Sequence, residues 1–145
     1  MIRQGDKSMG RVTVEVHLAN GEDLVRAADG TIRADQIRKA RINAVVDTGA
    51  AHLVIPRSMA VQLGVPFEGE ARVRYADLRS AIQPVATHID VELLGRHGTF
   101  KAIVEPKRKD ALIGAIVLED LDLVVDCVSQ TLLPRDPNRI IAEIE

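Results

Sequence analysis

Asp47, Thr48 and Gly49 are the residues of this 145-residue chain whose types and order could do chemistry. They follow an apolar segment, residues 42–46, that is typical of a buried β-strand. A carboxylate where such a strand enters a glycine turn lies beside backbone amides at the edge of the core, and it is costly to desolvate unless the site uses it. It could act as a general acid or base. Since Asp-Thr-Gly also forms ordinary turns, the alternative is a strand-end turn without chemistry.

The elements that must position this turn are mostly short β-strands. Apolar and polar residues alternate over residues 12–18, 37–46 and 85–93, which is the period of a half-buried strand. Two or three short helices interrupt the strands, and the predicted helical segments are residues 20–30, 57–63 and 115–121. Together, these strands and short helices predict an all-β domain, built as a small closed barrel or a sandwich.

Local signals define the ends of these helices. Asn20 with Asp23 resembles a helix-capping pair, and Gly30 is predicted to end the first helix. Gly64 is predicted to end the second helix in the same way. In the first helix, a short apolar face is predicted from three residues, Leu24, Val25 and Ala28.

Three hairpins are predicted. The first spans residues 73–82 and has a polar tip, residues 76–80, that contains no glycine. The second turns between Gly95 and Gly98, and the last pairs residues 123–128 with 131–133. In the last hairpin Cys127 alternates with apolar residues, which favours a small core residue.

The length and the 46% hydrophobic content predict one globular domain, residues 12–136. Residues 1–11 are interpreted as a flexible leader. Residues 137–145 form a C-terminal tail whose isoleucines could take part in a dimer interface. The core must be aliphatic, because aromatic residues make up only 2% of the chain.

Composition excludes several function classes. The net charge of −2 argues against nucleic acid and anionic membranes, and the one basic run, residues 107–109, is interpreted as a solvated turn. No apolar stretch approaches the roughly 20 residues that span a bilayer. A single cysteine allows no intrachain disulfide, so a cytoplasmic protein is expected. The four histidines lack the spacing of metal ligands, so no metal and no cofactor are predicted.

Two motifs together resemble the retropepsin-like aspartic proteases, in particular their small bacterial, non-viral members. The first is residues 44–50, with the strand 53–56 and the short helix after it. The second is residues 111–114, followed by a helix and residues 123–126. The resemblance covers about residues 12–134. It implies the acid protease fold, with a flap hairpin and an apolar-apolar-glycine run crossing behind the catalytic turn.

The resemblance implies an aspartic endopeptidase with Asp47 as its catalytic residue. In this family two carboxylates share one proton and activate a water molecule. Because the chain holds one Asp-Thr-Gly, the second carboxylate is expected from Asp47 of another copy in a two-fold homodimer. Thr48 is expected to bond across the dimer, and Gly49 and Ala50 to complete the turn. The implied substrate is a peptide or an unfolded protein.

Substrate-binding candidates flank the turn and the flap: Ala51, Val54, Tyr75, Ala76, Asp77, Ile82, Ile113, Gly114 and Ile116. For Tyr75 the alternative is a half-buried strand aromatic, and for Asp77 a solvated loop charge. Asp126, a third acid, is interpreted as a strand-end residue that pairs with a nearby amide or arginine. The alternative function is a catalytically inactive dimer of the same fold that binds peptides or acts in assembly, which the glycine-free flap tip favours.

Overall fold

The structure is a computed structural model and describes residues 11–145, so all but the last residue of the predicted leader lies outside the described residues. The strands in this range are β1 Val12–Asn20, β2 Lys39–Val46, β3 Leu53–Pro56, β4 Phe67–Arg74, β5 Ser80–Leu93, β6 Arg96–Glu105, β7 Ala111–Ile113, β8 Leu123–Asp126 and β9 Thr131–Pro134. The helices are α1 Gly21–Ala28, α2 Arg57–Leu63, α3 Ala115–Leu121 and a 3-10 helix, Ala34–Gln36.

Six strands close into a barrel. They follow the order β1-β2-β7-β3-β6-β5, and β5 pairs again with β1. The pairs β2–β7 and β3–β6 are parallel, and the other pairs are antiparallel. β4 pairs only with β5 and extends it as a hairpin, while β8 and β9 form a separate two-stranded sheet. The predicted all-β closed barrel with short helices and a flap hairpin is confirmed.

The core inside the barrel is aliphatic, as the low aromatic content predicts. Alternate residues of the barrel strands point inward, so each strand contributes one buried row. The largest fully buried side chains include Val16, Leu18, Leu53, Ile55, Leu63, Ile89, Ile113 and Leu121. Removing one such side chain to alanine costs on the order of 2–5 kcal/mol. The barrel therefore gives its surface turns a rigid base.

Helices α2 and α3 begin and end where the sequence predicts. Gly64 follows α2 with φ 65°, a left-handed conformation that glycine adopts without a steric cost. The cap of α1 is also confirmed, because the Asn20 side chain accepts a 3.0 Å bond from the Asp23 amide. Its predicted apolar face is wrong, since Val25 is 65% exposed and Ala28 is exposed too.

The buried residue of α1 is an acid. Asp23 accepts bonds of 2.9 and 3.0 Å from the guanidinium of Arg38, and another from the Arg38 amide. The hydrogen bonds from Arg38 lower the pKa of Asp23 from 3.8 to about 2. An ion pair, and not an apolar face, therefore attaches α1 to the chain that leads into β2.

Two predicted boundaries in the β5–β6 hairpin are wrong. β5 is one strand of 14 residues that serves both the flap and the barrel, with a register shift between Ala86 and Ile89 where His88 has φ 60°. The predicted turn between Gly95 and Gly98 is instead formed by Leu94 and Gly95, both with positive φ. Gly98 lies within β6.

The last hairpin corrects the prediction for Cys127, which is exposed. β8 ends at Asp126, whose carboxylate accepts bonds from the amides of Val128 and Ser129, as the strand-end interpretation predicts. Cys127 thus lies past the paired strand. The domain limits at residues 12, 136 and 145 stay a prediction. None of the helices between residues 11 and 145 is long and apolar enough to cross a membrane.

Candidate active site

Asp47 lies where β2 leaves the barrel. β2 runs parallel to β7, with Val46 opposite Ile113. The Asp47 amide continues this pairing and donates a 3.0 Å bond to the Ile113 carbonyl. The Asp47 carbonyl accepts a 3.1 Å bond from the Ala50 amide, which closes the turn. The position of the acid is therefore fixed through main-chain atoms.

The carboxylate of Asp47 is exposed and is oriented by its own turn. Its Oδ1 accepts a 2.9 Å bond from the Gly49 amide. A Cβ at Gly49 would lie 3.3 Å from that oxygen, which is tighter than a normal van der Waals contact. Glycine at this position lets the amide approach the carboxylate closely.

Gly114 supports the turn from behind. A Cβ at this residue would lie 2.6 Å from the Ala51 carbonyl carbon and 2.6 Å from the His52 oxygen, so only glycine fits. The next two amides, those of Ala115 and Ile116, donate bonds of 2.8 and 2.9 Å to the carbonyls of Ala50 and Ala51. The start of α3 thus holds the segment after the Asp47–Gly49 turn.

Thr48 lies on the exposed side of the turn. Its hydroxyl has no hydrogen-bond partner within residues 11–145. Beside it, Asp47 and Thr48 line a cleft of about 480 Å³. The other residues that line this cleft are Val12, Val46, Leu118, Leu123, Val124, Val125 and Cys127. Asp47 therefore lines an open cleft that is also lined by β8 and by Cys127.

The flap tip, residues Tyr75–Arg79, is closed by both main-chain and side-chain contacts. The Tyr75 amide donates to the Arg79 carbonyl, and the Leu78 amide to the Tyr75 carbonyl, at 2.9 and 2.8 Å. Leu78 has φ 71°, so it takes the left-handed conformation that glycine favours. Asp77 accepts a 2.6 Å bond from Arg79 Nε, and the Arg79 guanidinium lies 5.3 Å from the centre of the Tyr75 ring.

Tyr75 ties the flap to the barrel. It is half-buried, and its hydroxyl lies 2.7 Å from the carboxylate of Glu105 on β6. Gln83 Nε2 donates a 3.0 Å bond to the same hydroxyl. The bond to Glu105, with burial second, raises the pKa of Tyr75. Ala76 and Asp77 are exposed.

Beside the hydrogen bond between Tyr75 and Glu105 lies a second pocket of about 400 Å³, which we call the flap-base pocket. It is lined by Val54, Val73, Arg74, Tyr75, Ile103, Glu105, Arg108 and Leu112. Val54 and Tyr75 are among the predicted substrate-binding residues, whereas the other six residues of this pocket are not. For Leu112, the signal was its place in the run 111–114. For Arg108, it was the basic run interpreted as solvated.

The remaining predicted substrate-binding residues are placed differently. Ile113 is fully buried and offers the turn only its carbonyl. Ile116 is 45% exposed on α3, and Ile82 is 54% exposed on the outer part of β5. Ala51 is exposed directly after the turn. Between residues 11 and 145, no three His, Cys, Asp or Glu side chains are grouped to hold a metal ion.

Comparisons with known proteins agree with this geometry. The sequence model of a family described as gag-polyprotein putative aspartyl protease matches residues 34–120, which contain the Asp47–Gly49 turn, the flap and Gly114. The EIAV protease complexed with the inhibitor HBY-793 matches with a TM-score of 0.52 and 16% identity, over 77% of this chain and 88% of that chain. This likeness shows the fold.

A structure of the foamy viral protease-reverse transcriptase in complex with an RNA/DNA hybrid also matches, over 51% of this chain and 9% of that chain. Its TM-score is 0.42 and its identity 23%. No curated protein sequence matches the chain. The predicted bacterial origin stays a prediction.

Proposed function

The chain belongs to the gag-polyprotein putative aspartyl protease family, a retropepsin-like family, and we propose that it is an aspartic endopeptidase that works as a homodimer. The observation that carries the proposal is the exposed carboxylate of Asp47, held by the Gly49 amide at the end of β2. The turn fixes its backbone through the bond from the Asp47 amide to the Ile113 carbonyl. A rigid, solvent-facing acid is what general acid–base chemistry on water requires.

The chemistry needs two carboxylates, and one protomer offers one Asp-Thr-Gly turn. Two copies of Asp47 that meet across a two-fold axis, about 3 Å apart, would share a single proton. The ionised carboxylate accepts a proton from water as its oxygen attacks the peptide carbonyl carbon. The protonated carboxylate gives its proton to the carbonyl oxygen. The C–N bond of the tetrahedral species then breaks as the carboxyl group that took the proton from water gives it to the amide nitrogen, which leaves as the amine. The other carboxylate takes the proton of one hydroxyl group of the tetrahedral carbon, so that a carboxylic acid forms and the pair again holds one proton.

Two features of the cleft support a second copy. The Thr48 hydroxyl lacks a partner within residues 11–145, which fits a bond to another protomer. The hairpin beside it exposes apolar surface, with Val124 and Leu133 both about two-fifths exposed. Burying apolar area of this kind drives association. We expect the two-fold axis to pass between the Asp47 turns, so that neither protomer holds a complete site.

The substrate would be an extended segment of a peptide or unfolded protein. It would lie as a strand between the flap and the catalytic turn, with main-chain bonds giving affinity and side pockets giving selectivity. Among the candidates, Val54 and Tyr75 line the flap-base pocket, while Ala76, Asp77 and Ile82 lie on the flap. No metal or cofactor enters the proposal, and the cytoplasm stays the expected compartment.

Asp47→Asn tests the proposal. The purified protein should cleave an unstructured polypeptide best at about pH 4–6, where the pair of carboxylates holds one proton. The variant should lose on the order of 10²–10⁴-fold of that rate, which is the usual contribution of a general acid–base group. Asp35→Asn is the matched control, since Asp35 is an exposed acid in the 3-10 helix. Sedimentation should give a dimer for all three proteins. Cleavage by a monomer, or by the Asp47→Asn variant, would contradict the proposal.

The second candidate function is an inactive dimer that binds peptides or acts in assembly. The observation in its favour is that side-chain hydrogen bonds hold the flap in place. Arg79 donates one to Asp77, and Tyr75 donates one to Glu105. A flap held in this way would cover a bound peptide without releasing products quickly. Peptide binding that survives Asp47→Asn, with no cleavage at any pH, would favour this candidate. Cleavage that stops in the variant would exclude it.

A further inference from the structure

We propose that the flap-base pocket binds an acidic side chain of the substrate, so that the enzyme prefers glutamate or aspartate near the cleaved bond. This inference rests on the proposed function and names its substrate class. It is carried by a pocket with an apolar floor and two arginines that make no ion pair with a carboxylate of residues 11–145.

The pocket lies beside the catalytic turn. Its floor includes Val54 and Leu112, which pair with each other across β3 and β7. Leu112 also pairs with Val45, two residues before Asp47. The wall of the pocket opposite this floor is formed by two flap residues, Val73 and Tyr75. A peptide held between flap and turn would therefore place in this pocket a side chain close to the scissile bond.

The floor suits the stem of a long side chain. Val54, Ile103 and Leu112 are half-buried aliphatic residues that face the pocket. The methylene groups of a glutamate can pack on them while its carboxylate stays at the rim, as amphipathic side chains do on other apolar surfaces. The volume of about 400 Å³ leaves room for such a side chain and the neighbouring main chain.

The positive charge at the rim of the pocket favours a carboxylate at the end of the substrate side chain. Arg74 comes from the flap and Arg108 from the basic run 107–109, and neither makes an ion pair with a carboxylate within residues 11–145. Arg108 uses its Nε to bond the Asp110 carbonyl, which leaves its terminal nitrogens for a ligand. A guanidinium binds a carboxylate through two parallel bonds, so the rim fits an acidic tip.

Glu105 does not reverse this preference. Both oxygens of its carboxylate lie within 3.0 Å of the Tyr75 hydroxyl. Part of the capacity of this carboxylate to accept hydrogen bonds is therefore already used inside the protein. The three ionised residues of the pocket sum to a charge of +1, from two arginines and one glutamate. A lysine or arginine of the substrate would meet both guanidinium groups, and like charges at close range are unfavourable.

A neighbouring pocket shows that this charge balance is local. It lies on the other side of Ile103 and has a volume of about 320 Å³. Its acidic residues, Glu68 and Glu70, are balanced by Arg72 and Lys101. That pocket therefore predicts no preference for either sign of charge, whereas the flap-base pocket does.

The test is cleavage of peptides that are identical except at one position, which is moved along the sequence and occupied by Glu, Gln or Lys. At the position that enters the pocket we expect kcat/KM for Glu to exceed that for Gln on the order of 10-fold, and for Lys by more. The preference should grow from about pH 4 to pH 6, because the substrate carboxyl ionises there. It should shrink with added salt.

Arg108→Glu should remove or reverse the preference. Lys107→Glu is the matched control, because it makes the same change of charge one residue away, outside the pocket, and should leave the preference unchanged. If Arg108→Glu does not fold, Arg74→Gln provides the second test and should weaken the preference. Equal kcat/KM values for Glu, Gln and Lys at every position would overturn the inference, as would an unchanged preference in a folded Arg108→Glu protein.

Binding separates this inference from the proposed catalysis. The Asp47→Asn protein should bind a fluorescent Glu peptide more tightly than its Gln and Lys versions, measured by anisotropy. If the wild-type protein cleaves nothing but this selectivity is present, the proposed catalysis fails and the pocket assignment holds. If cleavage occurs and all three peptides bind and react equally, the pocket assignment fails alone.

Discussion

The turn of Asp47, Thr48 and Gly49, which we call the catalytic turn after its proposed role, and the flap tip are both short connections between strands. They are held by different kinds of contact. The catalytic turn is fixed by main-chain bonds from Asp47, Ala115 and Ile116 and by the close approach of Gly114. The flap tip adds side-chain contacts to its main-chain bonds, chiefly the Asp77–Arg79 pair.

This difference in contacts matches a difference in the proposed roles, because the Asp47 turn would stay fixed and the flap tip would move. The main-chain bonds at the Asp47 turn do not depend on pH or on exposed side chains, so the backbone of the acid keeps its position. Only the orientation of its carboxylate relies on a side-chain bond, from the Gly49 amide. In the proposed enzyme the flap would open and close over a substrate, and motions of this kind often limit the rate of turnover. Contacts between exposed side chains are weak, so they can break without unfolding the barrel.

Gly114→Ala should have the largest effect. The new Cβ would collide with main-chain atoms of Ala51 and His52 at 2.6 Å, and backbone cannot move aside as a flexible side chain can. Overpacking of this kind typically costs 1–3 kcal/mol and occasionally more, so we expect a loss of about 3 kcal/mol in the free energy of unfolding. Urea denaturation measures it. Activity should fall with it, since the segment after Asp47 would be displaced.

Gly69→Ala is the control for this substitution. Gly69 lies in the flap strand β4 with φ 80°, and a Cβ there would meet nothing within 4 Å. Its cost should be only the strain of a left-handed alanine, roughly 1–2 kcal/mol. If both variants lose the same stability, the close approach behind the catalytic turn does not contribute.

The catalytic turn could be predicted from sequence because its determinants are local. The apolar residues 42–46, the triplet after them and the run 111–114 each carry their own signal. Helices α2 and α3 were predictable for the same reason, since Gly64 ends the one and Gly114 precedes the other. The triplet alone also forms ordinary turns, and it is the combination with the runs 42–46 and 111–114 that made the prediction possible.

The flap and its pocket could not be predicted in the same detail. Leu78 takes a left-handed conformation that its residue type does not favour, so the tip has no local signal. Histidine takes this conformation more often than most residues, but a single His88 within an alternating strand is too weak a signal to predict the bulge in β5. Arg108 and Val54 are far apart in sequence and meet only because β3 pairs with β6 and β7. Cys127 was misassigned because period 2 continues one residue beyond the paired strand.

Leu78→Gly should have an intermediate effect at the flap tip. Leu78 is 76% exposed with φ 71°, and a left-handed residue with a side chain is strained by roughly 1–2 kcal/mol. Glycine relieves the strain but loses more backbone entropy on folding, about 0.5–1 kcal/mol. Leu78→Ala keeps the strain and is the matched control. We expect the glycine variant to be more stable than the alanine variant by about 0.5–1 kcal/mol in urea denaturation. A less stable glycine variant would show that the tip is not strained.

The smallest expected effect is a local response of the flap tip to acid. Hydrogen bonds from Arg79 lower the pKa of Asp77 below its ordinary value of 3.8. A carboxyl group with a lowered pKa stabilises the folded tip above the ordinary value, and this contribution is lost as the pH falls through the lowered one. The tip contact is therefore intact at pH 4–6 and is lost below about pH 3.8.

NMR can follow this loss through the amide of Arg79, which donates a 3.1 Å bond to Asp77. Its chemical shift should titrate below pH 3.8 in the wild type and stay flat in Asp77→Asn. The Ala115 amide bonds the Ala50 carbonyl and should not follow that titration, which makes it the internal reference for the catalytic turn. The contact between Asp23 and Arg38 should persist meanwhile, because the pKa of Asp23 is about 2. If the two amides titrate together, the turn and the tip are coupled, and the contrast between main-chain and side-chain support does not hold.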